Sequence, residues 1–273
     1  MVGGHALRLA ALSLLAVRLP AATDVPAAGG PKPETLEAFD RYIRLTETRL
    51  AAPAQAGPLF WSGSEERRKR LLQGAILCEP RNHRGDLKIP SGLIHDWLGA
   101  VFIPGAHVAD VLAVVQDYDH HQAIYRPEVV ASRLLSQRGD DFTISLRLLK
   151  RKAITVVMDT EHEVHYRRLS AVSWDSRSRS TRIVELSHAG GPGERPLPPG
   201  KDHGFMWRLY SYWRFHEEDG GTYVECEAVS LSRTIPTALA WLIDPIVRGL
   251  PRESMANTMR ATRIAVVHRR PGG

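Results

Sequence analysis

The stretch from Phe205 to Arg233 limits what this chain can fold into more than any other. Between Phe205 and Phe215 the residues alternate. Phe205, Trp207, Leu209, Trp213 and Phe215 fall at odd positions, and Arg208, Tyr210, Tyr212 and Arg214 at even ones. Successive strand side chains point to opposite faces, so one face is apolar and the other basic and aromatic-polar. Glu217 to Gly221 reads as a hairpin, with glycine free to take the positive φ such turns need. The return strand, Thr222 to Arg233, puts Val224, Cys226, Ala228 and Ser230 on one face and Tyr223, Glu225 and Glu227 on the other. Large aromatics thus stand beside small residues on the apolar face, which leaves room above it. The acids face Arg208 and Arg214, and that second face is expected to meet solvent.

What covers the apolar face follows directly. Ile235 to Val267 is helical in pattern, with Pro236 where a first-turn proline is tolerated. Leu239, Trp241, Leu242, Ile243, Ile246 and Val247 are apolar nearly all round, as in a helix buried on most sides. Pro245 and Gly249-Leu250-Pro251 are expected to kink or restart it. Met255, Met259, Thr262 and Val266 then recur at helical spacing; methionine there suits a core gap or a ligand surface.

The 273 residues suffice for one large domain with an extension, or for two small domains. A 43% apolar and 24% charged composition is that of a soluble globular protein. The net charge of +6 raises the question of nucleic acid, but the cations are scattered and alternate with acids. Arg67-Arg68-Lys69-Arg70 follows Glu65-Glu66 and reads as a solvated helix face. Nucleic acid is not an expected partner; weak contact with an anionic membrane surface is compatible with the charge. Leu9 to Val17 is an apolar run too short to span a bilayer and followed by small residues, with cleavage expected near Ala22 or Ala27. Residues 1–28 therefore read as signal peptide and linker, implying a periplasmic or secreted protein; Arg18 sits uncomfortably close behind the run. Cys78 and Cys226 lie in apolar strand contexts and are expected to stay unbridged.

Glu34 to Ala52 predicts an amphipathic helix with Leu36, Phe39, Ile43 and Leu50 on one face. With a short helix from Ser64 to Leu72 and a strand over Ala75 to Glu79, it makes residues 29–88 a helical N-terminal extension. Residues 89–269 form the main domain. Gly92 to Ile103 is its first strand, with Leu93, His95, Trp97 and Val101 opposite Ile94, Leu98 and Phe102. Val108, Val111, Leu112 and Val115 stripe a helix, and Asp117 to His121 leads through a second to Tyr125-Arg126-Pro127. Strands follow over Val130–Ser136, Phe142–Leu149, Ile154–Tyr166 and Val172–Val184; then Ala189–Gly204 is a proline- and glycine-rich loop. Strands bounded by helices indicate α+β, with a curved antiparallel sheet wrapped around the long C-terminal helix.

That segment order resembles the START-like (SRPBCC) helix-grip superfamily. The resemblance is carried locally by Gly99-Ala100-Val101-Phe102-Ile103-Pro104-Gly105, by Gln116-Asp117-Tyr118-Asp119 leading to Tyr125-Arg126-Pro127, and by Cys226 to Pro236. It spans about two-thirds of the chain. It implies a deep cavity between sheet and C-terminal helix, and membership among lipid carriers, aromatase/cyclases and other hydrophobic-ligand binders. It supplies no catalytic residue and does not choose a ligand.

Other chemistries fare worse. His120 and His121 with Asp117 and Asp119 are ligand types, but adjacent residues do not converge on one ion; His162 and His165 face opposite sides of a strand. No metal or other cofactor is expected. Gly-x-Ser-x-Gly is absent, and the glycines before Gly204 precede a strand. Acid–base chemistry of cyclase or hydrolase type would need His162, Arg182, Tyr118 or His95 inside the cavity. Binding needs less. Burying ~400 Å² of apolar ligand gains ~10 kcal/mol gross, leaving roughly micromolar affinity after association costs. The expected walls are Ile144, Leu146, Met158, Trp174, Trp207, Leu209, Trp213, Ala228, Trp241, Met255 and Met259; the expected anchors are Tyr118, His162 and Arg182. The favoured reading is a monomer binding a lipid or other apolar small molecule; a protein-interaction domain is a third possibility.

Overall fold

The computed structural model describes residues 29–51, 64–81, 85–151, 155–198, 200–234 and 237–269, with backbone only for 237–248. Helix α1 (Pro33–Ala51) comes first, then α2 (Glu65–Leu72), capped by the Ser64 hydroxyl on Arg67 N. Strands β1 (Leu77–Pro80), β2 (Asp86–Ile89) and β3 (Gly92–Pro104) lead to α3 (Val108–Val115) and α4 (His121–Ile124). Strands β4 (Val129–Arg138), β5 (Asp141–Arg151), β6 (Thr155–Arg168) and β7 (Ser173–Ser187) follow. After the short β8 (Arg195–Pro196) come β9 (Arg208–Glu218), β10 (Gly221–Arg233) and helix α5 (Thr237–Arg269).

The strands form one antiparallel sheet in the order β1-β3-β10-β9-β7-β6-β5-β4, with β2 against β3 and β8 against β7. Helices α3 and α4 separate β3 from β4, and α5 closes the chain, so the helix-grip arrangement is present. The turn between β9 and β10 is tighter than expected: Asp219 and Gly220 both have positive φ, which matches the twist of a two-residue hairpin.

The inner face of the sheet is the one turned to α5. Gly99 marks the contact, because a Cβ there would stand 2.5 Å from both Cγ and Sδ of Met255. Met255, Met259, Thr262 and Val266 form the buried stripe of the helix, as the spacing predicted. Pro245 and Pro251 do not divide α5, which runs as one helical segment through both; a proline removes one helical hydrogen bond and bends a helix without having to end it.

The outer face corrects an expectation. It is covered by α1 instead of solvent. Phe39 and Ile43 pack with Ile94, Tyr212, Val229 and Leu231, and Glu225 and Glu227 are buried beside them. The acids tolerate this because α1 brings partners: Arg49 pairs with Glu227, and Tyr42 Oη donates to Asp96 Oδ2 at 2.6 Å. Strand β3 is consequently buried from Gly92 to Ile103, with helices on both sides. Cys78 and Cys226 are free thiols, each in register with Gly99 from opposite sides.

Candidate functional site

Alternation places the inner face of each central strand. On β6, Val156, Met158, Thr160, His162, Val164 and Tyr166 are buried and point inward. On β5 the inward residues are Phe142, Ile144, Leu146 and Leu148; on β9 they are Leu209, Ser211, Trp213 and Phe215; on β10, Val224, Cys226, Ala228 and Ser230. Two apolar clusters bound this surface. One holds Tyr118, Phe142, Ile144, Phe215, Met255 and Met259; the other holds Val129, Leu148 and Met158 with Leu209 against it.

Between these clusters the described residues cover the face only in part. Leu146, Trp174, Ser178, Leu209, Ser211, Trp213, Ala228 and Ser230 are only half-buried although they face inward. Register sets Ser178, Ser211 and Ala228 in one row across β7, β9 and β10. The row above it holds Ser176, Trp213 and Cys226. Trp213 stacks near Phe215 with ring centroids 6.1 Å apart.

The polar groups of the inner face form short chains. Thr160 Oγ1 donates to Leu146 O at 3.1 Å, so its hydroxyl proton is used and His162 Nε2, 3.0 Å away, must donate to it. That leaves His162 Nδ1 as an acceptor, and burial pushes the imidazole down to about 4. His162 is thus neutral at physiological pH. Tyr166 Oη reaches Val115 O at 3.3 Å and lies 2.9 Å from Tyr118 Oη. Burial raises both phenols, Tyr166 well above its ordinary value. Neither ionises in a workable pH range.

Several expected site residues stand where the alternation put them, namely Ile144, Leu146, Met158, His162, Trp174, Leu209, Trp213 and Ala228, and Tyr118 joins them from the helical turn before α4. Two do not. Arg182 points outward and pairs with Glu161 at 3.2 Å, because the ladder shifts between Glu161 and His162 and inserts Thr181 on β7. Beyond that bulge Ile183 takes the inward position. Trp207 lies on the outer face with Phe39 and Ile43, its Nε1 donating to Asp202 Oδ1 at 2.9 Å. It precedes the first residue of β9, so the alternation does not yet apply to it. Met255 and Met259 are consumed in packing over Gly99. The side chain of Trp241 lies outside the described residues.

The sequence reading missed Thr160, Tyr166, Ser176 and Ser180, although all share the inward parity of neighbours it had chosen. It also missed Glu185, which is buried and accepts from His203 N, His203 Nδ1 and Phe205 N at 2.9, 2.9 and 3.0 Å. Its parity changes at the Thr181 bulge.

A groove of about 790 Å³ opens on the outer face, beyond the end of α1. It is lined by Arg138, Arg167, Arg177, Arg179 and His165 together with Asp141, Glu163 and Asp175. Most of these charges are already committed: Arg167 to Asp175, Arg177 and Arg179 to Glu47 of α1, and His165 to Asp141. Among the described residues no three of His, Cys, Asp or Glu are placed to hold a metal ion.

No family model and no curated protein sequence matches this chain. Solved structures do match in outline. A protein from Thermus thermophilus superposes with a TM-score of 0.46 at 16% identity, over 63% of this chain and 96% of its own. A STAR-related lipid transfer protein fragment from Xanthomonas axonopodis gives 0.45 at 17% identity, over 71% and 98%. The Zhui aromatase/cyclase from Streptomyces gives 0.41 at 11% identity, over 64% and 95%. These are similarities of backbone outline.

Proposed function

We propose that this chain binds a lipid or other apolar small molecule between the inner face of its sheet and α5. One observation carries the reading. Side chains in the middle of the inner face, Trp174, Trp213, Leu146 and Leu209 among them, keep accessible surface while their neighbours on both sides are buried. Protein interiors close-pack, so large inward aromatics left half-covered mark space for a guest. Extraction of the purified protein followed by mass spectrometry tests it. Co-purification of an apolar molecule in stoichiometric amount is expected. A protein that neither carries nor takes up any such molecule would sink the proposal.

An enzyme of cyclase or hydrolase type would need titratable groups converging on that space. Arg182 is turned away, and His162 and the Tyr118–Tyr166 pair are held neutral, which favours binding over chemistry. Export to the periplasm or medium is proposed on the apolar run Leu9–Val17. A monomeric state and weak contact with anionic membrane surfaces belong to the same proposal.

A further inference from the structure

The chemistry of the half-open surface narrows its guest. Across β7, β9 and β10 it offers the half-exposed hydroxyls of Ser178, Ser211 and Ser230, with Ser176 and Ser180 buried beside them on β7. Ser180 already accepts from Leu209 N at 3.0 Å. Trp174 and Trp213 flank this band on one side and Leu209 and Ile183 on the other. Among the described residues, charged side chains of the same parity are committed elsewhere or stand at the rim, where Arg168, exposed at the end of β6, donates to Ser170 O at 3.1 Å. Glu185 is taken by three donors from residues 203 and 205, and Lys150 pairs with Glu128 and Ser254 at the edge beside α5. Glu217 accepts from Val108 N and pairs with His107.

We infer that the guest is an elongated apolar molecule bearing hydroxyl or carbonyl groups and no ionised group. An ionised end entering the middle of this surface would lose its hydration and find no uncommitted counter-charge among the described residues, which is costly. A hydroxyl or carbonyl would find the hydroxyls of Ser178, Ser211 and Ser230, which can donate or accept. This inference rests on the binding reading above.

Titration with cis-parinaric acid and with its methyl ester separates the two ideas, because the probes share one conjugated chain and differ only in the ionisable end. Binding is read from probe fluorescence and from quenching of the tryptophans at pH 8. The ester is expected to bind at micromolar concentration, and the acid about a hundredfold more weakly. The gap should narrow as the pH is lowered and the acid protonates. An acid that binds as tightly as the ester at pH 8 overturns the inference and leaves the binding reading standing. Binding of neither probe by the folded protein defeats both. As a second arm, a lysine at the band (Ser211→Lys) should move the preference toward the acid by tenfold or more; a folded variant with unchanged preference also counts against the inference.

Discussion

Tyr42 on α1 donates its hydroxyl to Asp96 Oδ2 on β3 at 2.6 Å, across the outer face of the sheet. Asp96 is almost fully buried, and its other oxygen, like Glu227 Oε2, has no hydrogen-bond partner among the described residues. Around it stand Tyr42 and Arg49 from α1, Glu227 from β10 and Arg81 just past β1. Burial raises the Asp96 carboxyl to about 7, and Glu227 adds to the rise.

The sign of the pH dependence follows. A raised native value means the folded state holds its proton longer than the unfolded one. The contribution of Asp96 is fully present below the ordinary carboxylate range and is lost as pH climbs through about 7. Melting temperature should therefore fall between pH 5 and pH 8, and Asp96→Asn should flatten that slope and raise the value at pH 8 by roughly 5 °C. Identical slopes in wild type and variant, followed by circular dichroism, would remove Asp96 as the cause.

Phe39 anchors α1. It is fully buried against Trp207, Tyr212 and Leu231, with the Tyr210 ring edge-on at 5.4 Å. Phe39→Ala should cost about 3–5 kcal/mol in urea denaturation and speed proteolysis within α1. A loss below about 1 kcal/mol would mean that α1 is not held by this contact.

Gly99 and Met255 are predicted to be energetically coupled. Gly99→Ala places a methyl group 2.5 Å from the Met255 side chain and should cost about 1–3 kcal/mol. Combined with Met255→Ala, the penalty of the alanine at 99 should shrink, giving a coupling of about 0.5 kcal/mol or more in a double-mutant cycle. Strict additivity would contradict the close approach.

Two tryptophans six residues apart should behave oppositely. Trp213→Ala removes a half-buried inner wall and should weaken parinaroyl-ester binding at least about tenfold. Trp207→Ala should leave binding within about twofold while destabilising the α1 face by about 3 kcal/mol. A reversed pattern would exchange the two faces.

The order of elements and the inner face of β5, β6, β9 and β10 were legible, because period-two patterning is visible without knowing the neighbours. Arg182 was not: one inserted residue, Thr181, reverses every later side chain on β7, and a run of Ser, Arg and Thr has no apolar beat to reveal the slip. Trp207 failed for a related reason, since its aromatic ring extends the pattern one residue beyond the strand that carries it. The covered outer face was also hidden. Arg208, Arg214, Glu225 and Glu227 look like a solvated surface until α1, from far along the chain, supplies Arg49, Glu47 and a phenol. A clue was present in Asp96, a lone acid inside the otherwise apolar run of β3.

Strand β3 has no water side at all, and this fixes its alignment unusually firmly. Sliding it by one residue would turn Asp96 toward the α5 side of the sheet and carry Gly99 away from Met255, losing the α1 partners and the helix seat in one movement. The two ends of the described chain, one helix near the start and one at the finish, thereby act as opposing jaws on a single ribbon. The far border, β4, has two irregularities in its pairing and, among the described residues, is held by the short α4 and the turn before it, through Gln122 N on Ser132 Oγ and Leu134 N on Asp119 Oδ1, so misalignment during assembly should concentrate there and spare the centre.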